Sequence, residues 1–547
     1  MKASIIISIL AVAIIFNPGR PASGQSLSLD VYPSDEELFD AYMQGEFDYT
    51  TYLNLQEIFE TGIDSSDLYL LDEIPNLSYF SDSRLRGYRG LEREQEEPFL
   101  TSDTSKGAAI SGNLKIKRYQ DLDEEALGRN HYLINGRITP RFLFDARVNE
   151  DNQRNREWKQ RSLTYKSWEG LIRRMALGNF NARCGLGLAI GYRGRVLNKN
   201  FPTFDKSFFF PDYGSFNGAY LESRRKNDAV KLLLHYDRDD TTRVRTAAAS
   251  MMRQYRKFRL EGIVLQTNVD NIHTHEKFNF HQFDFYGQFR SEIVTSAVEV
   301  ALQQKTRRLI GAIVAETEYR SQSTTLQGSF WKYDDDYINL TGGGRSGRYY
   351  RTVSIDTLDF DFRDRRSDQE GALLRGLTSI AENMKYHFSF SAFGPNRFQR
   401  FLAFQNGFDF ALSDRSTARL EYRYREQNEF DGTISDHQFR AELKRTIGEI
   451  SLRSYLGYLF DQNRNKYLAC FLRIRTAAVG PGKLDLWLNF SKINMRTGRL
   501  DYFYGYLQEI ITAIKNLEVT AKYLYRYGRA YSESGKSGFY LEGRLIW

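Results

Sequence analysis

From about residue 107 onward, apolar and polar side chains take turns along the chain with a period of two. That period belongs to a β-strand with two unlike faces. In residues 416–426, Ala418, Leu420, Tyr422 and Tyr424 share one face, and Arg419, Glu421, Arg423 and Arg425 the other. Leu484, Leu486, Leu488 and Phe490 oppose Asp485, Trp487 and Asn489 in the same way. Further on, Leu517, Val519, Ala521, Tyr523, Tyr525 and Tyr527 oppose Glu518, Thr520, Lys522 and Arg526. The last stretch sets Phe539, Leu541, Gly543, Leu545 and Trp547 against Tyr540, Glu542, Arg544 and Ile546. Similar runs lie near 132–148, 228–237, 257–267, 278–303, 308–333, 372–392, 398–411, 437–461 and 466–477.

Candidate strands of about ten residues match a tilted membrane-crossing strand, whereas strands in soluble proteins average about five or six. Tyr and Phe gather toward run ends, where an interfacial aromatic girdle would sit. The pattern predicts a mainly β protein, a large transmembrane antiparallel β-barrel with a small N-terminal helical domain. Residues 107–547, at about 20–25 residues per strand and connection, give on the order of 18–22 strands. Arg419, Glu421, Arg423, Arg425, Arg473, Arg475, Asp485, Glu518, Lys522, Arg526, Glu542 and Arg544 are then expected to face the lumen and set its field. Phe539, Leu541, Leu545 and Trp547 resemble the closing-strand signal read by the barrel-assembly machinery of Gram-negative envelopes.

The N-terminal part reads differently. Lys2, the apolar stretch Ala3 to Phe16 and the small residues Ala22-Ser23-Gly24 form a secretory signal peptide over 1–24. Residues 25–90 predict a small periplasmic helical domain, acidic overall, beginning with a capping box at Ser34-Asp35-Glu36-Glu37. Leu38, Tyr42, Leu53, Leu55, Ile58 and Phe59 repeat at helical spacing, and Pro75 ends the last helix. Residues 91–106 form a charged linker, and 107–547 the barrel. Past Gly24 no run reaches the 18 or so apolar residues of a membrane helix.

Composition agrees: 35 Tyr and 39 Phe stand beside 27% charged residues, too polar for a helical membrane bundle. The net charge of +7 is spread out, not gathered in the basic patch that nucleic-acid binding leaves. The same parity argument puts Cys184 with Phe180, Ala182 and Leu186, and Cys470 with Leu468, Leu472 and Ile474. Both thiols are therefore expected free and on lipid-facing surfaces.

Candidate chemistry is sparse. His273 and His275, with His281 nearby, have the i, i+2 spacing of two metal ligands on a strand, but no matching third ligand follows. Asp334-Asp335-Asp336 with Asn339 lacks the spacing of a calcium loop, and Gly342-Gly343-Gly344 lacks the context of a phosphate loop. No metal or cofactor is predicted, and no nucleophile–base pair marks an enzyme. Residues 334–370, with Arg345, Arg348, Arg351, Arg363, Arg365 and Arg366, form either a large outer loop or one folded inward as a constriction.

The order of signal peptide, helical head and barrel resembles helix-hairpin-helix-containing outer-membrane proteins of the Bacteroidetes and their relatives. Leu53-Asn54-Leu55-Gln56-Glu57-Ile58, Gly62-Ile63-Asp64-Ser65-Ser66 and the stretch Leu71 to Ser78 are similar to that head. Leu177 to Leu188, reading LGNFNARCGLGL, is similar to a Gly-rich stretch of the family's barrel. Phe330-Trp331-Lys332-Tyr333 and Asp368-Gln369-Glu370-Gly371 stand where further family segments are expected. The resemblance implies a fold and an outer-membrane location. A DNA-binding hairpin offers backbone N–H groups from a Gly-apolar-Gly turn, and here the turn reads Asn76-Leu77-Ser78. Nucleic acid is thus disfavoured as a partner. The expected partners are outer-membrane lipid, the barrel-assembly machinery and an envelope protein met by residues 25–90. The leading reading is a pore or a component of a transport or secretion assembly. The alternative is a membrane-anchored interaction protein, and a weaker one nucleic-acid handling through the head.

Overall fold

The computed structural model describes the strands between Ser111 and Ile546 and parts of their connections, including Ala182, residues 184–191, Asp334, Tyr337 and Thr341. The expectations for residues 1–110 and for Trp547 lie outside the described residues, as do those for His273, Asp335, Asp336, Asn339 and residues 342–366.

Among the described residues there are 24 strands. They begin with β1 (Ser111–Asp121), β2 (Arg129–Thr139), β3 (Phe142–Glu150), β4 (Arg156–Lys166), β5 (Ile172–Phe180) and β6 (Phe216–Arg225). Next come β7 (Asp228–Arg238), β8 (Thr242–Tyr255), β9 (Phe258–Asn271), β10 (Lys277–Arg290), β11 (Val294–Lys305) and β12 (Arg308–Arg320). Then follow β13 (Thr324–Tyr333), β14 (Gln369–Ala381), β15 (Met384–Pro395), β16 (Phe401–Ser413), β17 (Ser416–Glu429) and β18 (Gly432–Ile447). The series ends with β19 (Ile450–Asp461), β20 (Lys466–Thr476), β21 (Gly482–Asn494), β22 (Leu500–Ile514), β23 (Leu517–Gly528) and β24 (Ser532–Ile546).

Each strand pairs antiparallel with its neighbours in sequence, and β1 pairs with β24 from Asn113 opposite Ile546 to Asp121 opposite Gly538. The sheet therefore closes on itself and has no free edge. Its strands run 9 to 16 residues.

The count exceeds the 18–22 expected, and the reason is visible in the turns. Runs such as 372–392 and 437–461 each hold two strands, joined by Glu382-Asn383 and by Gly448-Glu449. With such a turn, β14 takes only residues 369–383, fewer than the 20–25 or so allowed for each strand and connection.

The connections sort by end. The end carrying the start of β1 and the finish of β24 has turns of two to five residues throughout. The other end carries two long connections, 181–215 and 334–368. Short turns on one side and long loops on the other are the habit of outer-membrane barrels, with the short side periplasmic.

Polarity is inverted relative to a water-soluble sheet. On β10, Gln282, Asp284 and Tyr286 are buried while Phe283 and Phe285 are exposed. On β17, Glu421 and Arg423 are buried and Leu420 is exposed; on β19–β21, Leu456 is exposed while Arg473 and Asp485 are buried. Exposed apolar side chains on this scale mark a surface built for an apolar solvent.

Candidate functional site

The interior is divided into two arcs. Over β5–β15 it is packed by the described parts of the two long connections, which fold inward. The first makes a tongue from Ala182 to Gly191. Its neck is tied by the Cys184 N–H donating to the Ile190 carbonyl at 2.9 Å, and the Gly187 N–H donates to the Cys184 carbonyl at 2.9 Å. Gly185 and Gly187 have φ of 57° and 87°, left-handed conformations that suit glycine.

Barrel-wall carboxylates hold the tip. The Leu186 and Leu188 N–H groups donate to the two oxygens of Glu299 on β11, the latter at 3.2 Å. The Gly185 N–H donates to Glu261 on β9 at 3.2 Å. Glu261 also accepts from the Ser250 hydroxyl at 3.0 Å and pairs with Lys231 and Arg259 at 3.4 and 2.9 Å. A buried irregular backbone must satisfy its donors, and here carboxyl groups of the wall do so.

The second inward segment follows β13. Asp334 extends the pairing with Gly311, accepting the Gly311 N–H on its side chain at 2.8 Å and donating its own N–H to the Gly311 carbonyl at 3.0 Å. Tyr337 accepts from the Gln282 amide at 3.0 Å and its hydroxyl points to the Leu188 carbonyl at 3.5 Å. The Thr341 hydroxyl donates to the Ala189 carbonyl at 2.7 Å, and the Gly191 N–H to the Thr341 carbonyl at 3.0 Å. The two segments thus brace each other. Around them Phe180, Ile190, Phe216, Leu233 and Ile263 form one apolar cluster, and Leu186, Leu188, Trp331, Tyr333 and Tyr337 another.

This corrects the placement of Cys184. It lies on the tongue, 1% exposed, against the Ser250 hydroxyl at 3.5 Å, and not on lipid. Burial pushes its thiol up to about 12, so little thiolate forms at neutral pH. Cys470 shares its face with Leu468, Leu472 and Ile474 and stands opposite the exposed Leu456, on the outer surface. Both are free. Thiol titration without reductant should find two reactive groups per chain after denaturation and none reacting quickly in the folded protein. One or no thiol on denaturation would contradict this arrangement.

Over β16–β24 the inner face is ionic. Arg419 forks onto Asp409, with its second contact at 3.3 Å, and Arg423 pairs with Glu421. His387 lies 3.5 Å from both Asp409 and Glu421. Glu442 is shared by Arg440, Arg453 and Lys444 at 2.8, 2.9 and 3.5 Å. Asp485 is shared by Arg473 and Arg475, at 3.0 and 3.2 Å, and accepts the Tyr506 hydroxyl at 3.2 Å. Cations also lie over rings: Arg440 on Tyr455, Arg453 on Phe471, Arg473 on Trp487 and Lys522 on Tyr506, at 4.0, 5.5, 5.0 and 3.9 Å.

Of the residues singled out from sequence, Arg419, Glu421, Arg423, Arg473, Arg475 and Asp485 join this network. Glu518, Glu542 and Arg544 follow the same inward parity, with Glu518 opposite Arg544. Arg425 and Arg526 sit at inward register positions of β17 and β23. Phe539, Leu541 and Leu545 are exposed on the outer face. Sequence reasoning missed Glu261, Glu299, Tyr337, Thr341 and the tongue. The one signal was Gly185-Leu186-Gly187-Leu188, two glycines inside what looked like an alternating strand.

Among the described residues no group of three or more His, Cys, Asp or Glu could hold a metal ion. His275 and His281 are exposed, the former at φ 58°.

No family model matches the sequence, and no curated protein is similar to it. Among solved structures, the siderophore receptor PirA from Pseudomonas aeruginosa is 9% identical with a TM-score of 0.44, over 80% of both chains. PirA from Acinetobacter baumannii gives 8% and 0.45 over 80% of this chain and 81% of that one. The ferric-catecholate import receptor Fiu from E. coli K12 gives 8% and 0.40 over 80% and 81%. Likeness at this level bears on neither ligand nor mechanism, and the barrel rests on its own closed strand pairing.

Proposed function

We propose that this chain is an outer-membrane barrel of a Gram-negative cell, acting as a pore or as a component of a transport or secretion assembly. The observation that carries the reading is the division of the interior. One arc is narrowed by a tongue held on wall carboxylates, and the other is lined by ionic side chains that an apolar packed core would not need. Ions placed along a lumen wall act on passing solutes at short range, so the cation-rich arc favours anions. The outer apolar face meets lipid, and the closed sheet leaves no backbone group unpaired there. The resemblance to helix-hairpin-helix outer-membrane proteins belongs to the same proposal. Its Gly-rich stretch, Leu177 to Leu188, covers the end of β5 and the tongue.

Planar-bilayer recording of the purified full chain tests the reading. In about 1 M KCl it should open discrete channels, with a reversal potential under a salt gradient that shows anion preference. A preparation that is folded, by its heat-modifiable gel migration, yet never conducts would favour the second reading, a barrel that anchors an envelope-partner-binding head. That second reading draws on the tongue and the second inward segment sealing part of the lumen.

A further inference from the structure

We infer that residues 25–83 dock on the cationic inner face of β16–β24, at the short-turn mouth of the barrel. The surface comes first. Arg419, Lys444, Arg453, Arg475 and Lys522 all lie within about five residues of the strand ends at the short-turn mouth. Cations cluster here: Arg440, Arg453 and Lys444 gather about Glu442, and Arg473 and Arg475 about Asp485. Lys385 and Lys483 add exposed ammonium groups on the same inner parity, opposite Asp409 and beside Asp485 in sequence. The described parts of the two long connections pack on β5–β15, away from this arc.

The occupant is named by charge and by attachment. Between Gln25 and Ser83 the chain has fourteen Asp and Glu and no Lys or Arg. The whole chain is nevertheless at +7, so the excess of positive charge resides in the rest of it. This acidic segment is tethered where it is needed. It leads into β1, which starts at the short-turn end and lies beside β24 in the ionic arc. Residues 84–110 can span up to roughly 90 Å when extended, enough to reach any point on the mouth. Tethering raises the local concentration of the segment to the millimolar range, so modest electrostatic attraction suffices to seat it. A separate acidic protein would lack that advantage.

Zero-length carbodiimide coupling of the unmodified full chain in membranes, read by peptide mass spectrometry, tests this directly. At low salt, carboxylates of residues 25–83 should couple to Lys444, Lys385, Lys483 and Lys522. Yields should fall about tenfold near 1 M salt, where the screening length is about 3 Å. A full chain carrying Asp35→Asn, Glu36→Gln, Glu37→Gln and Asp40→Asn should lose most of the same products while keeping its heat-modifiable migration. Coupling of the acidic segment only to other proteins, or only to lysines other than these four, would overturn the proposal. Salt-insensitive products would do the same. The result does not depend on conductance, so it stands or falls apart from the pore reading.

Discussion

Gly185→Val should open the lumen without unfolding the barrel. Gly185 has φ 57°, where a residue with a Cβ costs about 1–2 kcal/mol. A Cβ there would also lie 2.7 Å from a Glu299 carboxylate oxygen and 3.1 Å from Cβ of Tyr286, both on the wall. The substituted tip must withdraw, and the Leu186 and Leu188 N–H groups then lose Glu299. Two such hydrogen bonds, at about 1 kcal/mol net each, together with the backbone cost take on the order of 3 kcal/mol from the seated tongue. The strands and their pairing are untouched. Heat-modifiable migration should therefore persist, while single-channel conductance rises several-fold and the tongue becomes cleavable by added protease. Gly543→Ala is the control, since a Cβ at that position meets nothing within 4 Å. Equal conductance and protection in Gly185→Val and wild type would show that the tongue does not constrict the passage.

Leu456→Arg should destabilise the folded protein in lipid by about 2–4 kcal/mol, the cost of a cationic side chain near the bilayer midplane on a barrel's outer face. Leu456 stands in the middle of β19, 53% exposed, with Ala441 and Cys470 opposite it on the neighbouring strands. Gln438→Arg on β18 shares the inner parity of Arg440 and Glu442, and it should shift stability by less than about 1 kcal/mol. Denaturant unfolding in lipid vesicles, read by gel migration, compares the two. If both variants lose the same stability, the apolar face does not meet hydrocarbon and the membrane reading fails.

Much of this was written in the alternation. The parities of β17, β21, β23 and β24 follow from residue order, because a wall with hydrocarbon on one side and water or packed side chains on the other sorts side chains by twos. Arg419 against Leu420, and Trp487 against Leu488, are examples. The tongue was not legible, and the reason is physical. Phe180, Ala182, Cys184 and Leu186 alternate like a lipid-facing strand, yet they satisfy the same pattern by packing inside against Ala248, Ile263 and Tyr286. A period of two states that a segment has an apolar side without naming what that side touches.

Residue order alone therefore settled that strands dominate and which side chains share a face, since that preference is local to each strand. Closure of β1 on β24 decided the number of strands and which face became the interior. It also brought Glu261 and Glu299 beneath backbone donors that are 76 and 113 residues away in the chain. Contacts across such separations depend on how the sheet curves and what fills it, and no short-range pattern carries that information.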